Sequence, residues 1–447
     1  MRNAMNDFVH IFKLFDKPES RNLINLSWFY NNSSVLYEAI KSITEFDLTE
    51  GFLKGKKVLL KPNWVKHPLS HADKLCLLTH ENFILVALEI ILEKKPDSVL
   101  IGDAPIQGCK WEKLFSQTFF SEIRILSEKY NIPLYIKDFR RRKYIVSENK
   151  PTEDVRPLSD YIIFDLGKDS LLEPITLPGK TRFRVTSYNP ERMALAHSTG
   201  VHKYCIAKDV FDADIIISLP KIKTHQKTGI TGALKNLVGI NGDKDFLPHH
   251  RLGGNNRGGD CYPGGSLFRY WSELLLDEAN RRQGKKSYWY WQKLSSLLWF
   301  ISLPGKEHRL DAGWYGNDTT WRMVADINRI ALYGKPDGTV SNIKQREIYS
   351  LCDGIIAGQG DGPLEPEPLP LGIISFTNNS LANDRLMGML LSLPVNKIPL
   401  LNIRNIYEKD SCEYTLNGKV ISVEDLKQYA AKATPAKGWS NYFKYKQ

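Results

Sequence analysis

Six cysteines occur, Cys76, Cys109, Cys205, Cys261, Cys352 and Cys412, and no two of them form a close pair. Zinc ribbons and ferredoxin-type cluster loops need closely spaced thiolates, so neither motif is present and no iron–sulfur cluster is expected. A run of about 18 uncharged apolar residues, the requirement for a spanning helix, is missing too. The first 18 residues lack the continuous apolar centre of a secretory signal. These absences lead to the expectation of a soluble, cytoplasmic protein with reduced thiols. There is no Walker A sequence and no nucleophile elbow. Gly358-Gln-Gly-Asp-Gly362 fails as a dinucleotide fingerprint because its third glycine comes too early. No nucleic-acid-binding motif is recognised, so no nucleic-acid partner is expected. Internal repeats and low-complexity tracts are lacking as well.

What is present is an ordinary globular composition over 447 residues, 42% hydrophobic and 25% charged, enough for one large or two medium domains. The net charge of +11 favours anionic partners, whether phosphates, carboxylates, nucleic acid or anionic lipid, without choosing among them, and it also serves plain solubility.

Lys57 to Lys61 is a short apolar run ended by Pro62-Asn63, the mark of a buried strand entering a turn. Thr79 suits an N-cap. Phe83, Ile84, Val86, Ala87, Ile90 and Ile91 then recur at helical spacing, and Ser98 to Gly102 is the next strand. Further strand-like runs lie at Pro133 to Lys137, Tyr161 to Asp165, Asp214 to Leu219, Gly372 to Phe376 and Ile398 to Ile403. Helical patterns cover Trp321 to Leu332 and Asp384 to Leu393. This alternation predicts an α/β fold with a mostly parallel sheet flanked by helices. Residues 1–50 carry no motif and read as a peripheral extension. Residues 51–240 and 315–447 read as two parts of the α/β core. Residues 241–314 read as a long insertion or lid. Within it, Ser287 to Leu303 is aromatic, is interrupted by Lys293 and is flanked by basic residues. It suits a helix packed on the body, or contact with a membrane surface.

Ligands of open parallel sheets bind outside the carboxyl ends of the strands. Three polar turns follow strand ends, at Lys61-Pro62-Asn63, at Gly102-Asp103-Ala104-Pro105 and at Lys221 to Asn236, and should converge on one crevice. The third is the richest. It holds Lys221, Lys223, His225 and Lys227, then Thr228 to Gly232 with Thr231, which reads as a helix start, then Lys235 and Asn236. Cations beside a helix N-terminus oppose its dipole, so this cluster is easiest to understand around a bound anion. Lys61, Asn63, Asp103, Lys221, Lys223, Thr231, Gly232 and Asn236 are therefore candidate substrate or anion contacts. His225 suits a general acid or base, and Lys235 a nucleophile, tether or anion clamp. His249 and His250 suit metal ligation or simple exposure. Asp103, Asp353, Asp361 and Asp384 suit either a site carboxylate or a turn or cap.

Lys61-Pro-Asn63, Gly102-Asp103, Ala213-Asp214, Pro220-Lys221-x-Lys223-Thr-His225, Thr231-Gly-Ala-Leu-Lys235-Asn236 and Gly239 resemble the marks of the family called domain of unknown function 362. Asp353-Gly354, Gly360-Asp-Gly-Pro363 and Ala382-x-Asp384 fit its later pattern, and the resemblance spans roughly residues 56 to 393. More distantly, a strand, a His, a glycine turn and a Lys ten residues after the His are similar to the catalytic segment of nickel-pincer lactate racemases. That likeness implies Lys235 as tether of a nickel-pincer-type nucleotide, His225 as acid or base, and His249 or His250 as metal ligand. The chain departs from it at Thr-Gly-Ala-Leu-Lys235 and lacks a clear counterpart of the racemases' first catalytic histidine loop.

The function expected is an acid/base enzyme, racemase- or epimerase-like among other options, acting on a hydroxy acid, sugar acid or phosphorylated sugar. The alternatives are a redox accessory protein without its own cluster, and a basic protein that binds a membrane surface or nucleic acid.

Overall fold

A computed structural model describes residues 7–15, 20–147, 150–302, 311–403 and 412–444. Part of the stretch read for a leader, and Leu303 of the aromatic segment, lie outside the described residues. Eleven strands build one sheet. In chain order they are β1 (Asp7–Lys13), β2 (Lys57–Pro62), β3 (Ser98–Asp103), β4 (Leu134–Asp138), β5 (Ile215–Leu219), β6 (Lys221–His225), β7 (Gly229–Thr231), β8 (Glu347–Asp361), β9 (Glu365–Thr377), β10 (Cys412–Leu416) and β11 (Lys419–Val420). Across the sheet the order is β11-β10-β1-β9-β8-β5-β2-β3-β4, with β6 paired to both β7 and β8. The run β8-β5-β2-β3-β4 is parallel throughout. Within this sheet, among the described residues, antiparallel pairing is confined to β1–β9, β8–β9, β6–β7 and β10–β11.

The helices used below are α1 (Leu23–Asn31), α2 (Ser33–Thr44), α3 (Glu81–Leu92), α4 (Gln117–Tyr130), α5 (Ala233–Asn236), α6 (Leu267–Arg281), α7 (Ser287–Ile301), α8 (Thr320–Tyr333) and α9 (Ser380–Leu390). The sheet is covered on both faces, because successive strand residues point to opposite sides. Val58, Leu60, Ile215 and Ile217 join one core with Phe83, Ile84 and Ile91 of α3. Leu59 and Ile216 join the other with Met323 and Ile327 of α8 and Leu386 of α9. Strands buried on both faces read as continuous apolar runs, which is why β2 and β5 stand out in the sequence. The fold is thus α/β, as the alternation of elements predicts. One helical stretch among the described residues, His71–Leu92, is long and apolar enough to cross a membrane. Its apolar 18-residue window is 72% buried inside the protein, as expected for a core element.

Four expectations need correction. Residues 1–50 are not a peripheral extension. β1 lies inside the sheet between β9 and β10, with Val9 opposite Thr377. Leu26, Tyr30, Leu36 and Ile40 from α1 and α2 belong to the α3 core. Thr79 is not the N-cap of α3; His80 caps it through a bond from Asn82 N–H. Thr79 Oγ1 instead donates to the Leu219 carbonyl (2.6 Å) and accepts from Asn63 N–H (2.9 Å), tying the ends of β2 and β5 together. Ile398 to Ile403 is a 3-10 turn over Pro399–Asn402 rather than a strand. Proline has no N–H to give a ladder. Finally, residues 229–231 are strand β7, and the helix begins only at Ala233.

Among the described residues, segments 139–214 and 241–314 add no strand to the main sheet. They meet where His250–Arg251 pairs antiparallel with Phe183–Arg184. The cap over the carboxyl ends of β2 and β3 therefore draws on both segments.

Candidate functional site

A cavity of about 390 Å³ opens beyond the carboxyl ends of β2 and β3. From β2 the chain order runs outward through β3 and β4 on one side and continues at β5 on the other. Such a switch point is where open parallel sheets hold their ligands. Asn63, Asp103, Lys223, His225, Thr231, Lys235, Asn236 and His249 all line this cavity. The three strand-end turns do meet there.

β6 carries Lys223 and His225 into the cavity wall. The ring of His225 is buried, 2% exposed. Its Nδ1 accepts the backbone N–H groups of Lys227 (2.9 Å) and Thr228 (3.2 Å). Backbone N–H can only donate, so the neutral ring carries its proton on Nε2. Burial, then the charges of Lys235 and Lys223, hold its pKa well below the ordinary histidine value. His249 is the reverse case. Its Nδ1 lies 2.7 Å from the Leu247 carbonyl, which can only accept. The proton therefore sits on Nδ1, and Nε2 keeps a free lone pair. Burial, then Lys235 and Lys227, keep this ring neutral too.

The lysines divide into two kinds. Lys223, Lys227, Lys235 and Lys244 line the cavity. Among the described residues Lys235 has no hydrogen-bond or ion-pair partner, and burial followed by Lys244 and Lys227 pulls its pKa to about 7. Lys223 donates to the Leu77 carbonyl at 2.6 Å, yet burial still brings it to about 7. Lys244 falls to about 8 for the same leading reason. Lys227 donates to the Asp311 carbonyl and is also lowered by burial. Thr231 Oγ1 is buried and makes no hydrogen bond among the described residues.

Lys61 and Lys221, by contrast, do not face the cavity. Lys61 Nζ meets Asp103 Oδ1 at 2.8 Å and the Pro62 carbonyl at 2.9 Å. Asp103 Oδ2 accepts Trp64 N–H at 2.7 Å. Gly239 is required beside this pair, because a Cβ there would come within 1.8 Å of Asp103 Oδ1. Lys221 Nζ pairs with Asp353 (2.9 Å) and Tyr30 Oη (2.8 Å). Both are internal ion pairs, not anion contacts. Gly232 is also removed from the cavity lining. The helix end behind it is already occupied, since Asp384 accepts the N–H groups of Ala233 (2.7 Å) and Leu234 (3.0 Å). The anion inferred at this helix start is the protein's own carboxylate. His249 and His250 also part company. His250 lies against Glu273 instead, with Nε2 3.5 Å from Oε1.

Sequence reasoning did not select Lys227, Lys244 or the stretch Val185–Tyr188 of the cap, all of which line the cavity. Lys227 stood in the right loop. Lys244 follows no recognisable strand, so nothing in its neighbourhood marked it.

The chain is therefore an α/β protein with a lysine- and histidine-lined cavity at the carboxyl ends of its parallel strands. Residues 180–387 match the family described as "Domain of unknown function (DUF362)". The segment holds every cavity lysine and histidine, while Asn63 and Asp103 precede it. A thylakoid-associated protein of Synechocystis sp. is 24% identical over 196 residues, which cover 44% of this chain and 38% of that protein. A Thermotoga maritima crystal structure aligns over 77% of this chain and 53% of its own at 13% identity, with a TM-score of 0.28.

Proposed function

We propose that the protein is an enzyme that binds a small anion, a hydroxy acid, sugar acid or phosphorylated sugar, and moves a proton on it. The observation that carries this reading is the amine of Lys235, without a partner among the described residues, beside two neutral histidines of opposite tautomer in one cavity. Uncompensated amines are costly to bury, and an anionic ligand offsets that cost. In this reading His249 Nε2 takes a proton from carbon next to a carboxylate or carbonyl. The electron pair moves onto the adjoining oxygen. His225 Nε2–H and the lysine ammonium groups stabilise that oxygen, as neutral imidazole donors do elsewhere. Return of the proton to carbon completes the turnover. His225 thus donates and His249 accepts, a sharper division than the sequence suggested.

A nickel-pincer-type nucleotide fits part of this arrangement. Lys235 would hold it by its amine and His249 Nε2 would face its metal instead of serving as the base, whereas His250 lies against Glu273. Such a metal would supply Lewis acidity.

The test is chemical trapping. Pyridoxal phosphate, an aldehyde with a phosphate group, should form a borohydride-reducible adduct at Lys235, half-maximal near pH 7. Labelling spread evenly over surface lysines would contradict the reading.

A second reading concerns where the protein works. α6 and α7 form a helical hairpin joined by Ser272 and Ser295, whose Oγ atoms lie 3.0 Å apart. Its outer face shows Trp271, Trp289 and Phe300, 57%, 63% and 73% exposed. Lys285, Lys286 and Lys293 are exposed on the same hairpin. Aromatic rings with basic neighbours suit an anionic bilayer surface. The name of the thylakoid-associated relative agrees with this.

A further inference from the structure

We propose that His250, Cys261 and Glu273 form a second site, separate from the cavity chemistry, which holds one divalent transition-metal ion. Zinc is the ion that this donor set suits best. All three residues are buried, and one ligand atom from each lies within 4.8 Å of the other two. Zinc bonds to imidazole nitrogen at about 2.0–2.1 Å, to thiolate at about 2.3 Å and to carboxylate at about 2.0–2.2 Å. Tetrahedral ligands are then about 3.3–3.7 Å apart, so closing on an ion needs only a small contraction. His250 Nε2 and Glu273 Oε1 are at 3.5 Å already.

The three donors come from separate pieces of the cap. His250 is on the short strand that pairs with Phe183–Arg184. Cys261 follows the glycine-rich loop and is 2% exposed. Glu273 is on α6. The other oxygen of Glu273 is oriented by Gly253 N–H at 2.8 Å, the kind of outer contact that steers a metal-binding carboxylate. The nearby Arg184 guanidinium does not compete for the donors, because Asp277 takes it at 2.7–2.9 Å. About 10 Å³ of free space remains among these side chains, room for one atom-sized occupant. A mixed nitrogen, sulfur and oxygen set excludes calcium and magnesium, which prefer oxygen alone.

Asp311, Val185 and Thr186 border both this space and the lysine cavity. The ion would sit behind the cavity wall and pin strand, glycine loop and α6 together. Uptake converts the Cys261 thiol to thiolate and releases its proton.

The experiment uses the full chain, stripped with a chelator and then titrated with Zn²⁺ or Co²⁺ alone. One equivalent should bind, and the Co²⁺ form should show the sulfur-to-cobalt charge-transfer band of a tetrahedral thiolate site. Loss of an outer-shell partner already weakens metal binding about 10–100-fold, so Cys261→Ser and His250→Gln should lose at least that much. Cys412→Ser, which removes a thiol on β10 outside the donor set, should bind like the parent. Less than one equivalent in the parent, a Co²⁺ form without the charge-transfer band, or unchanged affinity in Cys261→Ser and His250→Gln would overturn the proposal. The parent titration decides the matter even if a variant fails to fold.

Discussion

His225 and His249 face one cavity in opposite tautomers. The Nδ1 of His225 accepts Lys227 N–H at 2.9 Å, and the Nδ1 of His249 donates to the Leu247 carbonyl at 2.7 Å. Backbone groups fix both choices, so the cavity receives one N–H and one lone pair whatever binds there. That asymmetry is the main ground for assigning donor and base roles.

Substitution should separate the cavity lysines from the ion-paired ones. Lys235 is held at about 7 against an ordinary value of 10.5. Between those values the unfolded chain binds more protons, so this lysine's destabilising effect is complete below pH 7 and fades as pH rises toward 10.5. Lys235→Met should therefore raise stability by at least about 1 kcal/mol near pH 6, one pKa unit being about 1.4 kcal/mol. The gain should shrink as the pH is raised. Lys221→Met should instead lose about 3–5 kcal/mol, because it strands the buried Asp353. Urea melts across pH check both.

Gly232 and Asp384 should behave as one unit. A Cβ at Gly232 would meet Asp384 Oδ1 at 2.2 Å. Gly232→Ala should cost about 1–3 kcal/mol by overpacking. In the background of Asp384→Ala that cost should fall, with a coupling of about 0.5–3 kcal/mol in a double-mutant cycle. Additive losses would show that the carboxylate does not cap α5 in solution.

Much of this was open to sequence reading. β2 and β5 were visible because both their faces are buried, and His225 and Lys235 because they follow such a strand. Lys61 and Lys221 looked like anion contacts because a sequence shows charge and not partner. Asp103 and Asp353, which neutralise them, lie 42 and 132 positions away. The cap of α5 was hidden for the same reason, since Asp384 is 151 positions from Ala233. β1 escaped notice because its buried residues, Phe8, Val9 and Ile11, do not alternate regularly and its partners, β9 and β10, lie near the other end of the chain.

The hairpin should bind anionic bilayers through its exposed rings. Flotation with vesicles containing phosphatidylglycerol should carry the protein upward. Neutral phosphatidylcholine vesicles should not. Trp271→Ser with Trp289→Ser should abolish flotation and leave the thermal melt unchanged. Trp299 is a poor probe for this purpose, being 2% exposed in the hairpin's interior. Equal flotation of parent and variant would remove the membrane reading.

The central claim is proton movement on a small anion by His249 and His225, and deuterium exchange tests it most directly. Lactate, glycerate, gluconate and glucose 6-phosphate, incubated with the purified protein in heavy water, would be followed by proton NMR. The account predicts loss of a carbon-bound proton signal in at least one of these anions. The exchange rate should fall by about 10²–10⁴ in His249→Gln, the usual share of a general base, while Lys235-dependent trapping of pyridoxal phosphate persists. Exchange that proceeds undiminished in His249→Gln, or no exchange in any of the four with the parent, would contradict it.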